Sequence, residues 1–462
     1  MPHPMKDIIV VVPGITGSEL HKHGRVVWGY SAASIGRALL TLGGTMVRDL
    51  ALPHDDPDID DLEDGITAEQ LMPDLHILPG LWKIDGYAAI EQMLLAEFDL
   101  TLGENYHRFP YDWRRDNRVS ARKLERAVHG WLRRWREQSG AADAKVIFLA
   151  HSMGGLVCRW YLECLGGWRD TRALMSFGTP YGGSPNALNT LANGMKMKAI
   201  DLSPLGRQLT SIYQLLPTSE CVDTGDGTLR KLDAVSVPAM DGQRVSAALA
   251  FHRAIAEAVA ANRRDPQFTP YLIHPIVGIA QDTMQAGMWR NGTMEMVTRH
   301  QQIKLGAGDG TVPRLSAMPA EMQGNQARAV VMYASTRHGS LQNADAVHTQ
   351  IVGTLTGYEP AAPAMRALRQ NFSLNVPDLV TATEPITMRA LGSKPGTTVS
   401  ATLRHSALGV VETRSLRTGP DGAVGAEFPP QPAGAATITL SGDGVEPVED
   451  AIAIVEADAA IA

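Results

Sequence analysis

Cysteine is scarce in this chain: Cys158, Cys164 and Cys221 are the only three in 462 residues. An odd number without metal-ligand spacing offers neither a disulfide framework nor a thiolate metal site, and the plain reading is a reduced, cytoplasmic protein. No stretch approaches the roughly 18 uninterrupted apolar residues that a membrane-spanning helix needs. Any contact with a membrane is therefore expected to be peripheral. The opening residues MPHPMKDIIVVVPG contain an apolar run of strand length but no small-residue cleavage site, which is not a secretory signal. Positive charge is not in excess either. The formal charge of −7 gives no reason to expect nucleic acid as a partner. The early segment VVVPGITGSEL lacks G-x-G-x-x-G and G-K-[ST], which argues against a nucleotide loop. The acidic run from Asp55 to Asp64 lacks the spacing of an EF-hand and reads as a solvated loop. Neither a cofactor nor a metal is expected.

What the chain does have is the composition of an ordinary globular protein, 44 % hydrophobic and 20 % charged, at a length that suggests two folding units. Up to about residue 357, short β-branched runs alternate with helical patterns, the mark of a parallel sheet flanked by helices. Asp7–Val12, Lys145–Ala150 and Ala173–Phe177 read as buried strands. Residues 118–138 read as a helix with Leu124, Val128, Trp131, Leu132 and Trp135 on one face and arginines on the other, and 153–165 as another. The expected fold is α/β, a doubly wound and mostly parallel sheet of the α/β-hydrolase kind. Two stretches, about 45–85 and 190–268, fit the rhythm poorly and read as lid or cap insertions. After a Pro/Ala linker at 358–366, the pattern changes to period two, with turns at Pro395-Gly396 and Asp421-Gly422. Residues 367–462 thus read as an all-β, immunoglobulin-like sandwich.

The strongest chemical signal is VIFLAHSMGGLVCRWYL, a buried strand, a tight turn of small residues and an amphipathic helix, with Ser152 at the turn. This is the context of a nucleophile elbow, with Ala150 and Gly154 meeting the steric need for small residues two positions away. The helix N-terminus that follows favours developing negative charge. A serine hydroxyl needs a histidine to take its proton and an acid to orient that histidine, in the chain order Ser, Asp, His. Asp309 in GDGTVP and His338 in TRHGSL fill those places. Asp226 and Asp282 are weaker candidates for the acid. His348 is read as a surface residue on the next helix, and His151 as pointing away from the site. Two backbone amides are needed for the oxyanion hole: Met153, after the nucleophile, and Ile15 (or Thr16), after the first strand.

Seven segments in order, PGITGSEL, RFPYDWRRDNR, AHSMGGLVCRWY, SFGTPYGGS, SIYQLLP, GDGTVPRLSA and RHGSL, resemble the lecithin:cholesterol acyltransferase family. The resemblance implies an acyl-serine mechanism on lipid esters, of phospholipase, lipase or acyltransferase type, with Ser152, Asp309, His338, Ile15 and Met153 in the roles above. It places Tyr111-Asp112-Trp113-Arg114 near the acyl pocket, where an Asp–Arg pair holding a loop explains the same residues. Secreted members hold the lid with disulfides, and the 45–85 insertion has no cysteine. Apolar Ile77, Leu78, Leu81, Trp82, Leu215 and Leu216 suit a lipid substrate or simply pack the cap. A small-ester carboxylesterase or thioesterase is the alternative activity, and an inactive hydrolase fold used for binding is a third. The partner of the C-terminal sandwich is left open.

Overall fold

The computed structural model describes residues 2–29, 44–72, 76–78, 82–197, 200–303, 306–323, 331–356, 372–392 and 394–456. The predicted linker lies outside them. Six strands build the central sheet: β1 (Ile8–Val12), β2 (Tyr106–Arg108), β3 (Val146–His151), β4 (Thr171–Phe177), β5 (Leu272–Gly278) and β6 (Met332–Ala334). They pair in the order β6-β5-β4-β3-β1-β2, every pair parallel. A parallel sheet is covered on both faces, so its central strands are apolar throughout. In β1, Ile8, Val10 and Val12 enter one hydrophobic cluster and Ile9 and Val11 the other, as the alternation of side chains along a strand requires.

Helices cross between the strands: α1 (Ala88–Glu97), α2 (Asn117–Ser139) and α3 (Met153–Cys164). Asp116 caps α2 by accepting the Arg118 amide at 2.8 Å, and Gly140 ends it at φ 71°, a left-handed conformation that glycine adopts without strain. The chain runs outward from β1 to β2, then returns to lay β3 on the other side. The strand order reverses there, so the carboxyl ends of β1 and β3 border a crevice.

The first insertion is anchored rather than free. Ile66–Leu71 pairs antiparallel with Ser18–Lys22, and the acidic run is solvated in part: Asp56, Asp58, Asp61 and Glu63 are exposed, as expected, whereas Asp55, Asp60 and Asp64 are paired. Asp55 meets Arg115 at 2.6 Å with both side chains nearly inaccessible, Asp60 meets Arg122 and Arg126 at 2.7 Å each, and Asp64 meets Arg114 at 2.8 Å. Arg115 also donates to the Asp56 and Ile59 carbonyls. The arginines leading into and along α2 thus hold these three acids.

In the second insertion, α4 (Gly242–Asn262) is capped by Asp241 and packs Phe251, Ile255 and Val259 inward. Leu215 and Leu216 are buried in the main core and pack the cap. Leu81 and the side chains of Ile77, Leu78 and Trp82 lie outside the described residues. After β6 the chain forms α5 (Asp345–Leu355).

The C-terminal strands are β7 (Phe372–Asn375), β8 (Leu379–Thr381), β9 (Ile386–Gly392), β10 (Thr398–His405), β11 (Gly409–Arg417), β12 (Ala423–Phe428), β13 (Gly434–Gly442) and β14 (Val445–Val455). They form a three-stranded sheet, β7-β9-β12, and a five-stranded one, β8-β14-β13-β10-β11. A hydrophobic cluster of their own, from Phe372 to Ile454, lies between them. Among the described residues no helix is long and apolar enough to cross a membrane, and no group of three metal-ligating side chains occurs.

Candidate active site

Ser152 stands between β3 and α3 at φ 50° and ψ −124°, a sparsely populated backbone conformation of the kind held only when the surroundings impose it. The surroundings explain the small residues beside it. A Cβ on Gly154 would lie 2.4 Å from the Pro13 carbonyl oxygen, so only glycine lets α3 start against the loop after β1. A Cβ on Gly14 would lie 2.9 Å from the Ser152 Cβ.

The loops after β5 and β6 bring the two partners to this turn. His338 Nε2 lies 2.9 Å from Ser152 Oγ, and His338 Nδ1 lies 2.7 Å from Asp309 Oδ2. The other Asp309 oxygen accepts the amides of Thr311 at 2.9 Å and Val312 at 2.6 Å. An ionised acid held by two amides keeps its second oxygen for the ring, so Nδ1 carries the proton and Nε2 is left as an acceptor for the serine hydroxyl. The His338 amide donates to the Asp309 carbonyl at 2.8 Å, which ties the two loops together. All three residues are buried. Such a chain can draw the proton from Ser152 as its oxygen bonds to an electrophile.

Met153 is the first residue of α3, so its amide has no carbonyl partner within the helix. Ile15 is buried in the loop after β1, beside the Gly14 that touches Ser152. The Gly14 amide itself is occupied, donating to the Tyr87 hydroxyl at 2.8 Å.

Two weaker acid candidates are elsewhere. Asp226 is exposed and pairs with Arg230, although a short strand, Val222–Asp223, does precede it. Asp282 is exposed in the loop after β5. His348 is half-buried rather than on the surface, and its Nε2 meets the Gln342 carbonyl at 2.9 Å.

His151 does not point away. Its ring centre is 5.1 Å from that of His338, and its Nε2 is 2.9 Å from the His338 carbonyl. Its Nδ1 is 3.0 Å from the Tyr87 hydroxyl. Since that hydroxyl accepts from Gly14, its own proton goes to His151 Nδ1, and His151 Nε2–H donates to His338. Burial raises the Tyr87 phenol above its ordinary range, so it keeps this proton. One buried relay therefore joins the loop after β1, the start of α1, the end of β3 and the loop after β6. No motif marks Tyr87. Its position at the start of α1 is the one sequence clue.

The Tyr111–Arg114 segment forms the expected Asp–Arg pair. Arg114 meets Asp112 at 2.6 Å and Asp64 at 2.8 Å and is 1 % exposed. Tyr111 donates to the Pro13 carbonyl at 3.0 Å and Trp113 to Ser18 at 3.1 Å, so the segment braces the loop after β1.

Residues 83–240 match the family model described as lecithin:cholesterol acyltransferase. The likeness to that family covers this segment, about a third of the chain. The segment contains Ser152 and Met153, whereas Ile15, Asp309 and His338 flank it. The human lysosomal phospholipase A and acyltransferase is 30 % identical over 134 residues, 27 % of this chain and 31 % of the human protein. The rat protein of the same name is 29 % identical over 142 residues, 28 % of this chain and 32 % of its own. The chain thus spans about a third of the length of these acyltransferase-family relatives. A chain of the Tle4–Tli4 complex is 15 % identical, with 78 % of this chain and 98 % of that one covered, at a TM-score of 0.47. Mature Bacillus licheniformis lipase BlEst2 is 12 % identical over 77 % of this chain and 94 % of its own, at a TM-score of 0.36.

Proposed function

We propose that the protein is a serine hydrolase or acyltransferase of lipid acyl esters. The reading is carried by one observation, the hydrogen-bonded line Ser152–His338–Asp309 at 2.9 and 2.7 Å, beneath a family segment whose curated relatives are named phospholipase and acyltransferase. Ser152 Oγ attacks the ester carbonyl while His338 Nε2 takes its proton, and Asp309 stabilises the imidazolium that forms. The Ile15 and Met153 amides hold the oxyanion. His338 then gives the proton to the leaving alcohol, and the acyl group stays on Ser152. In the second half His338 takes a proton from water or from another alcohol, whose oxygen bonds to the acyl carbon, and returns that proton to Ser152 Oγ as the acyl–serine bond breaks. Contact with lipid is at most peripheral in this reading.

The test is fatty-acid release from phosphatidylcholine liposomes by the wild type and by Ser152→Ala, with and without a long-chain alcohol. Release that needs Ser152 supports a phospholipase, and diversion of the acyl chain to the alcohol supports an acyltransferase. Cleavage of short p-nitrophenyl esters with no release from liposomes would overturn the lipid assignment in favour of a small-ester esterase.

A further inference from the structure

The strand β7 is an edge of its sheet, and an edge strand carries a row of peptide groups that need partners. Here the partners are two side chains of the loops that carry the acid and the histidine. Gln281, 1 % exposed, donates from Nε2 to the Phe372 carbonyl at 3.1 Å and accepts the Leu374 amide on Oε1 at 3.3 Å. An amide side chain has the donor and acceptor of a peptide group, so Gln281 stands in for the missing neighbouring strand. Arg337 completes the edge by donating to the Leu374 carbonyl, and its Nε lies 3.2 Å from Asp450 on β14. Asp450 is buried. The side chains of Phe372 and Leu374 meanwhile fill the sandwich core.

Both side chains sit next to the reacting groups. The Gln281 backbone exchanges hydrogen bonds with Gly308 at 3.1 and 3.3 Å, directly before Asp309. Thr283 extends the same contact by accepting the Gly310 amide at 2.9 Å. Arg337 directly precedes His338. The sandwich thus grips the acid loop through Gln281 and the histidine loop through Arg337, and those loops are joined to each other at the Asp309 carbonyl.

We propose that the C-terminal sandwich is a positioning element of the active site, acting through Gln281 and Arg337 on the Asp309–His338 pair. This rests on the reading of Ser152 as nucleophile. Two loops held on one rigid sheet edge keep the ring aligned with the serine, and a displacement near 1 Å is enough to cost about 10²-fold in rate.

The experiment uses the full chain with Gln281→Met, Arg337→Met, Arg337→Lys and Asp450→Asn, and Arg414→Met as a distant control in the sandwich. The readouts are the rate of fluorophosphonate labelling, and kcat and KM for a short p-nitrophenyl ester. Gln281→Met and Arg337→Met are expected to lower labelling and kcat about tenfold with KM within about twofold. Arg337→Lys keeps a donor and a positive charge and recovers most of the rate. Asp450→Asn keeps the side-chain volume and therefore the fold, and lowers labelling at least about threefold. The proposal is overturned if labelling and kcat in these variants match the wild type while only the unfolding midpoint falls. It is equally overturned if Arg414→Met slows the reaction as much. A wild type that does not label at Ser152 overturns the nucleophile reading itself.

Discussion

Replacing Tyr87 with phenylalanine removes one oxygen and keeps the ring. That oxygen serves two buried partners, the Gly14 amide at 2.8 Å and His151 Nδ1 at 3.0 Å. Tyr87 is 3 % exposed and His151 1 %, so bulk water does not replace it. A buried polar group left without a partner costs about 1–3 kcal/mol, so two of them amount to about 2–6 kcal/mol. The consequence for rate is separate. Without the hydroxyl, His151 loses its bond at Nδ1, and the ring that supports the His338 carbonyl is held less firmly in place. We expect Tyr87→Phe to move the urea midpoint down by an amount equal to about 2–6 kcal/mol. We also expect kcat on a short ester to drop about tenfold with little change in KM. Stability within about 0.5 kcal/mol of the wild type, with an unchanged kcat, would refute the relay as a support of the histidine loop.

Asp309→Asn preserves shape but lets the ring adopt the wrong tautomer, and kcat should fall about 10³–10⁴-fold with KM nearly constant in steady-state assays. Arg115→Met leaves the Asp55 carboxylate buried without its 2.6 Å partner, so a loss of about 3–5 kcal/mol and early proteolytic cutting near residues 55–64 are expected. Unchanged protease resistance would count against the arginine clamp. Burial holds His252 down at about 4, below its ordinary 6.5, while its Nε2 meets the Gln214 carbonyl at 2.8 Å. Its contribution is complete above pH 6.5 and is lost as pH falls toward 4, because the unfolded chain takes up the proton first. His252→Gln should therefore show a shallower fall of the urea midpoint between pH 7 and pH 4.5 than the wild type. Gly154→Ala pushes a methyl toward the Pro13 carbonyl, and should reduce fluorophosphonate labelling more than it reduces stability.

The elements that were legible in sequence are those whose signal is local. β1, β3 and β4 are runs of buried apolar residues within a residue or two of the ranges read from pattern, and the small residues around Ser152 announce the elbow because the turn is crowded. Asp309 and His338 could be selected by chain order and glycine context. What was not legible depends on residues far apart in sequence. Asp55, Asp60 and Asp64 read as solvated because the arginines that pair with them come 50–62 residues later. His151 cannot be read without Tyr87, which lies 64 residues before it. The same holds for Gln281, whose partners on β7 are 91 and 93 residues away. Periodicity does not encode such pairs.

The ion pair between Arg337 and Asp450 has a consequence for the order in which the protein is made. The two residues are separated by 450 − 337 = 113 positions, so at about 5–20 residues per second the ribosome reaches Asp450 roughly 6–23 s after Arg337. Through most of that interval Ser152, the histidine loop and β7 already exist, while β14 and its Asp450 do not. If the sandwich positions the Asp309–His338 pair as proposed, the nascent chain lacks that brace until Asp450 is made, and serine reactivity rises late in synthesis, when the sandwich closes.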